Sequence, residues 1–298
     1  MAKKHILFAI LISVSILLQL NIVKAIVAYS LNSDSCSHIV LIPFVSLFFL
    51  YLERKRIFTT IRTSLFPGVA LILAGGLLWA IMERRLPPVD ENQGWLSLAA
   101  LSIVLIWVGE FILCYGLPAF RLAAFPLLFL LLIIPPPDFV LDKIVYFLQE
   151  GSTDVSFLLF KAVGVPVFRQ GFLLTLPGVT IEVAKECSSI RSSIALFITC
   201  LLAAHLYLNK TWKMTVLVLL ALPLSLIKNG IRISTLTLLA IYVDPSFLTG
   251  DLHRDGGFVF FFIALAILFP VFRLLQNSDR GSRSSPAPLQ TDHLPLQP

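Results

Sequence analysis

Charge is what this sequence has least of. Asp, Glu, Lys and Arg together make up 13% of 298 residues, where a soluble domain carries about 25%. Hydrophobic residues make up 57%, with 24 phenylalanines. Such a chain cannot clothe a globular surface in polar groups, so a water-soluble fold is excluded and lipid is left as its solvent. Cysteine is scarce too. Cys36, Cys114, Cys187 and Cys200 form no CxxC pair and no metal-ligand spacing. The histidines His5, His38, His205 and His293 are scattered, without HExxH or a metal-type His/Cys pairing. No Gly-rich phosphate loop and no GxSxG nucleophile signature is present. The expectation is therefore no metal and no cofactor. A net charge of +6 invites nucleic acid as a partner. The basic residues, however, are spread between apolar runs and read as topology signals, so no nucleic-acid binding is expected.

What the chain does have is hydrocarbon in runs long enough to cross a bilayer, for which about 20 apolar residues are needed. Candidate spans fall near 6–28, 38–52, 65–82, 95–114, 118–134, 189–208, 213–232 and 256–275. The expected fold is all-α, a polytopic membrane bundle of about eight helices. Lys3 and Lys4 before an apolar run give the start a signal-peptide look. The small-residue site nearby, Val23-Lys24-Ala25, is weak and many spans follow, so the expectation is a retained first helix. Lys3 and Lys4, "ERKRIFTTIR" (53–62), Arg121, "NKTWK" (209–213), Arg273, Arg280 and Arg283 all fall on one side of the eight-span arrangement. That side should be the cytoplasm, with both termini inside. Arg84 and Arg85 dissent, offset by Glu83, Asp90 and Glu91.

On the outer side, residues 135–186 form a long segment too broken by charge to span easily. Apolar residues at helical spacing, with Asp142, Lys143, Glu150 and Lys161 between them, predict one or two helices lying in the interface. "RQGFLLTLPGVTIEVA" then carries Gly171 and Pro177-Gly178 as turn signals among β-branched residues, and predicts a short hairpin. Residues 1–275 read as one membrane domain, and the Ser/Pro-rich stretch 276–298 as a disordered cytoplasmic tail.

Against this background "IEVAKECSSIRSS" (181–193) concentrates chemistry just before the sixth span. A seventh span rising about 1.5 Å per residue from the inside brings "KNGIRIS" (228–234) to the outer face. The loop "DPSFLTGDLHRDGG" (244–257) before the eighth span is outer as well. Three polar insertions thus converge on one face and supply Cys187, Arg232 and His253. The nucleophilic form of cysteine is the thiolate, favoured at a helix start and beside an imidazolium. His253 can deliver a proton to a leaving amine, and the permanent charge of Arg232 suits a developing oxyanion. Each has an ordinary reading as well. A Cys at a helix start is often inert, an interfacial Arg snorkels to phosphate, and a loop His is solvated. Arg191 rivals Arg232, because i+4 from Cys187 puts both on one helix face. Asp251 or Asp255 either orients His253 or is a plain loop acid. Asn229 either donates an amide to the site or satisfies backbone at a helix break, and Ser188 is a further supporting candidate.

At these residues the chain resembles the exosortase/archaeosortase family, polytopic membrane proteins regarded as cysteine transpeptidases or proteases acting outside the cytoplasmic membrane. "SHIVLIPFVSLFFLYLERK" (37–55), "GVPVFRQGFLLTLPGVTIEVAKECSSIRSS" (164–193), "NGIRIS" (229–234) and "HRDGGFVFF" (253–261) carry the resemblance in order, over roughly residues 35 to 270. It implies Cys187 as nucleophile, Arg232 as transition-state stabiliser and His253 as general acid/base. Ser189 departs from the family, which often has Gly after Cys-Ser. The implied partners are exported proteins with a C-terminal sorting tail: a short motif such as Pro-Glu-Pro, a transmembrane helix and a basic cluster. Membrane lipid surrounds the site, which faces the periplasm or exterior of an inner membrane.

Two other classes compete. A polytopic glycosyl- or lipid-transferase of surface polysaccharide export would use outer-face acids or a metal and tolerate loss of Cys187. A transporter would carry ionisable residues at mid-depth, whereas here the polar clusters fall near the expected helix ends.

Overall fold

A computed structural model describes residues 2–33, 35–59, 64–84, 93–185, 189–248, 250 and 257–281. The described residues are mostly helical, and the chain divides into two units. Among the described residues, five helices are long and apolar enough to cross a membrane, or up to seven if each of two bent pairs counts as one span. Ile39–Leu52 is a shorter apolar stretch beside them.

The first unit comprises residues 1–150 and 184–191. Helices α1 (Ala2–Leu18) and α2 (Leu20–Asn32) meet at a 75° bend, so the first expected span is broken. Helix α3 covers Ile42–Leu52, and α4 is the basic turn Arg54–Ile57. The hairpin of α5 (Leu65–Glu83) and α6 (Gln93–Tyr115) follows. The buried positions of α5 are Gly68, Gly75 and Met82, seven residues apart and hence on one face. A Cβ on Gly68 would lie 2.8 Å from the backbone nitrogen of Leu113, and one on Gly75 would lie 2.9 Å from the carbonyl oxygen of Ser102. Lipid gives no hydrophobic drive for helices to associate, so close backbone approach through small residues does the work.

Polar groups in this unit pair across helices. The Ser15 hydroxyl donates to Glu110 Oε2 at 3.4 Å, and the Gln19 amide to Ser102 Oγ at 3.4 Å. His5 Nδ1 and the Tyr115 hydroxyl are hydrogen-bonded at 2.9 Å. The expected fifth span is short turns of helix: α7 (Leu117–Leu122), α8 (Ala124–Phe129) and a 3-10 turn, Leu130–Ile133. Pro118 and Pro126, which remove backbone donors, sit in α7 and α8. A 94° bend then leads into α9 (Asp138–Ala162), a single helix where one or two were expected.

The second unit comprises residues 151–183 and 192–298. It takes the latter half of α9 and then, in place of the expected hairpin, a three-stranded antiparallel sheet. Its strands are β1 (Phe168–Gln170), β2 (Leu173–Leu176) and β3 (Val179–Glu182). Leu174 faces Arg169 on one side and Ile181 on the other. The β2–β3 turn sets Gly178 at φ +84°, where a side chain would be strained. Helices α10 (Ile190–Tyr207, in this unit from Ser192), α11 (Thr211–Leu219), α12 (Ala221–Tyr242) and α13 (Gly257–Gly281) complete it. Leu196, Cys200, Ala204 and Leu208 recur every four residues on α10 and its exit. They pack with Leu217, Ala221, Leu224, Ala264 and Leu268 into one core.

The α5–α6 seam makes a clean prediction. Gly75→Leu should lower stability by about 1–3 kcal/mol through overpacking. Gly76→Leu, whose Cβ would meet nothing within 4 Å, should leave it unchanged. Thermal unfolding of the two variants in detergent checks this.

Candidate active site

Cys187, Ser188, Asp251 and His253 lie outside the described residues, as does Asp255. The other cysteines are placed, and they are packing residues: Cys36, Cys114 and Cys200 are all buried. Burial also pushes the Cys36 thiol up, away from the thiolate form. Four of the five histidines were set aside from the sequence, and the structure gives two of those a structural setting. His5 pairs with Tyr115. His38 is half-buried and hydrogen-bonded to the Leu132 backbone. Among the described residues no group of three His, Cys, Asp or Glu side chains could hold a metal ion.

Cys187 comes between β3 and α10 in the chain. On its N-terminal side β3 ends at Glu182, and Lys185 forms an ion pair with Asp142 at 3.6 Å. Both partners are largely exposed, so this pair adds little stability. On its C-terminal side Ser189 has φ +53°, the one non-glycine residue with positive φ among those described. L-residues enter that left-handed region at a penalty of about 1–2 kcal/mol. The departure from Gly noted in the sequence thus falls where glycine would sit without strain. Helix α10 starts immediately afterwards, at Ile190.

The arginines part company by environment. Arg191, in the first turn of α10, is exposed, whereas Arg232, in α12, is half-buried. Helices α11 and α12 together run 32 residues, Thr211–Tyr242. Arg232 comes 21 residues after Thr211, about 30 Å along the axis, the thickness of a hydrocarbon core. The helix does not stop there, as the expected boundary at 232 implied, but continues ten residues further. No helix break occurs at Asn229 either. That residue is buried, and its amide donates to Ser152 Oγ at 2.9 Å. One position on, Gly230 leaves no room for a side chain: a Cβ would come 2.4 Å from Val155 Cγ1. Ser156 also donates to the Gly230 carbonyl, at 3.4 Å. Ser152, Val155 and Ser156 of α9 therefore fix which way α12 faces.

The residue missed from the sequence is Lys228. It is 1% exposed, and its ammonium donates to Ser192 Oγ in the first turns of α10. Its i, i+4 spacing from Arg232, two cations on one face inside a span, was the available signal. Further along, Asp244 comes nine residues before His253 in the chain. The Ser246 backbone N–H donates to Asp244 Oδ1 at 2.7 Å and holds the carboxyl below its ordinary range.

A helical membrane protein with a polar, charge-bearing face on α12 is the class these features define. A family model described as transmembrane exosortase matches residues 30–270, and the chain belongs to that family, one of membrane cysteine peptidases and transpeptidases. Comparison with curated proteins finds no match, and neither does comparison with solved structures.

The strained turn gives a test of the local backbone. Ser189→Gly should retain activity and stay within about 1 kcal/mol of wild type, because relief of strain is offset by glycine's greater freedom when unfolded. Ser189→Val, β-branched and ill-suited to positive φ, should lose both stability and activity. Melting temperature together with substrate processing reads both variants.

Proposed function

We propose that the protein is a cysteine transpeptidase or protease that removes the C-terminal sorting tail of exported proteins. The observation that carries this reading is the family match over residues 30–270, within which Cys187, Arg232 and His253 occupy the three polar insertions. The burial of the other three cysteines supports Cys187 as the nucleophile. The half-buried setting of Arg232, against the exposure of Arg191, supports the former as the oxyanion partner.

In this mechanism the Cys187 thiolate attacks the scissile carbonyl near the sorting motif. Arg232 faces the developing oxyanion, where loss of one donor typically lowers the rate by about 10²–10³. The carbonyl collapses to a thioester as the C–N bond breaks, and His253 gives its proton to the leaving amine, which departs with the membrane tail. An acceptor amine or water then attacks the thioester and releases the Cys187 sulfur. The substrate tail, a helix with a basic cluster, lies in the bilayer with its motif at the outer face. The site would then face the exterior or periplasm of an inner membrane, with both termini in the cytoplasm. The segment 135–186, with its sheet, is the recognition region of this scheme.

Co-expression with a tagged secreted protein that carries a candidate sorting tail tests the proposal. The processed fraction should vanish with Cys187→Ala at matched enzyme level and fall about 10²-fold or more with Arg232→Ala. Processing that persists without the sulfur would make Cys187 a packing residue and bring the transferase class forward.

A further inference from the structure

The sheet of the second unit runs in the order β1-β2-β3, so β1 and β3 are its edges among the described residues. The two edges differ. β1 is three residues long, with Pro166 two positions before it. Its central residue, Arg169, is tied by its side chain to Asp154 of α9 and to the Gly171 carbonyl. A short strand, a nearby proline and an edge cation are ordinary ways of stopping a sheet from growing. β3 carries neither proline nor lysine. Its register with β2 runs unbroken through four pairs, from Leu173–Glu182 to Leu176–Val179. The Val183 N–H extends the pairing by donating to the Phe172 carbonyl at 3.0 Å.

Antiparallel pairing decides which backbone groups β3 leaves over. Bonded and non-bonded residue pairs alternate along such a ladder. Val183 and Phe172 are a bonded pair, so Ile181–Leu174 and Val179–Leu176, in the same register, are bonded as well. The N–H and C=O groups of Thr180 and Glu182 therefore point away from β2, along the open edge. They recur every second residue, about 6.8 Å apart, which is the repeat of an extended chain. Both residues are exposed. Lipid cannot satisfy such groups, so the edge needs water or a polypeptide against it.

Resting on the reading of the protein as a peptidase or transpeptidase of exported polypeptides, we propose that the edge of β3 docks the substrate. An extended stretch of the exported chain adds to the sheet as a fourth strand, held by the main-chain groups of Thr180 and Glu182. An extended polypeptide offers N–H and C=O groups at this same repeat. Strand addition takes its affinity from those backbone bonds. Glu182 stands five residues before Cys187 in the chain, so docking strand and nucleophile share one short stretch of sequence.

Amide hydrogen exchange of the full-length protein in lipid nanodiscs reads the edge without substrate. The Thr180 and Glu182 amides should exchange on the order of 100-fold faster than the Ile181 amide, whatever the protein concentration. Protection equal to that of Ile181 would mean an edge already covered. Protection that grows with concentration would give the edge to a second copy. Either result would overturn the proposal. Processing of the tagged exported protein with a candidate sorting tail then reads the docking. Thr180→Pro deletes an N–H that the β2 ladder does not use, a place where an edge strand accepts proline. It should process roughly tenfold more slowly than Thr180→Val, which keeps that N–H. The substrate is scanned too, so the outcome does not depend on how well Thr180→Pro folds. Prolines placed one at a time before the cleavage point should impair processing at every second position. Equal processing by the two Thr180 variants, or losses without that alternation, would overturn the docking and leave Cys187-dependent chemistry standing. No processing by wild type, or processing that survives Cys187→Ala, would overturn the peptidase reading itself and the docking with it.

Discussion

A polar group in hydrocarbon has no water to turn to, and that constraint orders this structure. Some polar groups carried into a span bond a carbonyl of their own helix, as Ser225 bonds Ala221, and others find their partner on another helix. In the first unit it explains why Ser15 meets Glu110 and Gln19 meets Ser102. In the second it explains why Asn229 meets Ser152 and Lys228 meets Ser192. Such bonds are worth only about 0.6 kcal/mol each on average in membrane helices. Their effect is therefore less to stabilise than to select one rotation and one register out of many that apolar packing would accept equally well.

Glycine has the complementary task. Where helices must come closer than side chains allow, a missing Cβ sets the depth of approach. Gly68 and Gly75 do this for α5 against α6, and Gly151 and Gly230 for α9 against α12. Close approach then brings the short serine hydroxyls of α9 within reach of α12, which a leucine-faced contact would have kept apart. Small residues and hydroxyls are thus two halves of one packing solution, and on α12 both lie within four residues of Arg232.

Hydrophobic runs in the sequence located the spans, because a stretch of about 20 apolar residues has few other uses. Their ends were less legible. "KNGIRIS" reads as the close of a span, yet α12 continues to Tyr242, since helical hydrogen bonds form in water and lipid alike and polarity does not end them. The broken stretch 117–133 was foreshadowed by Pro118 and Pro126, whose kinking power the apolar run concealed. The hairpin became a three-stranded sheet because β1 holds only three residues, too few for a strand signal. Candidate site residues were recognisable by chemical type and motif. Lys228 was passed over because its partner, Ser192, stands 36 residues away in the chain, and only tertiary structure joins them.

The electrostatics of α12 change sharply over a single turn. Lys228 is sealed off and donates to one hydroxyl, whereas Arg232, about 6 Å further along the axis by the helical rise, is half-buried. The two like charges repel across that turn. With Lys228 held by Ser192 and α12 locked by Asn229, the repulsion cannot be relieved by turning the helix.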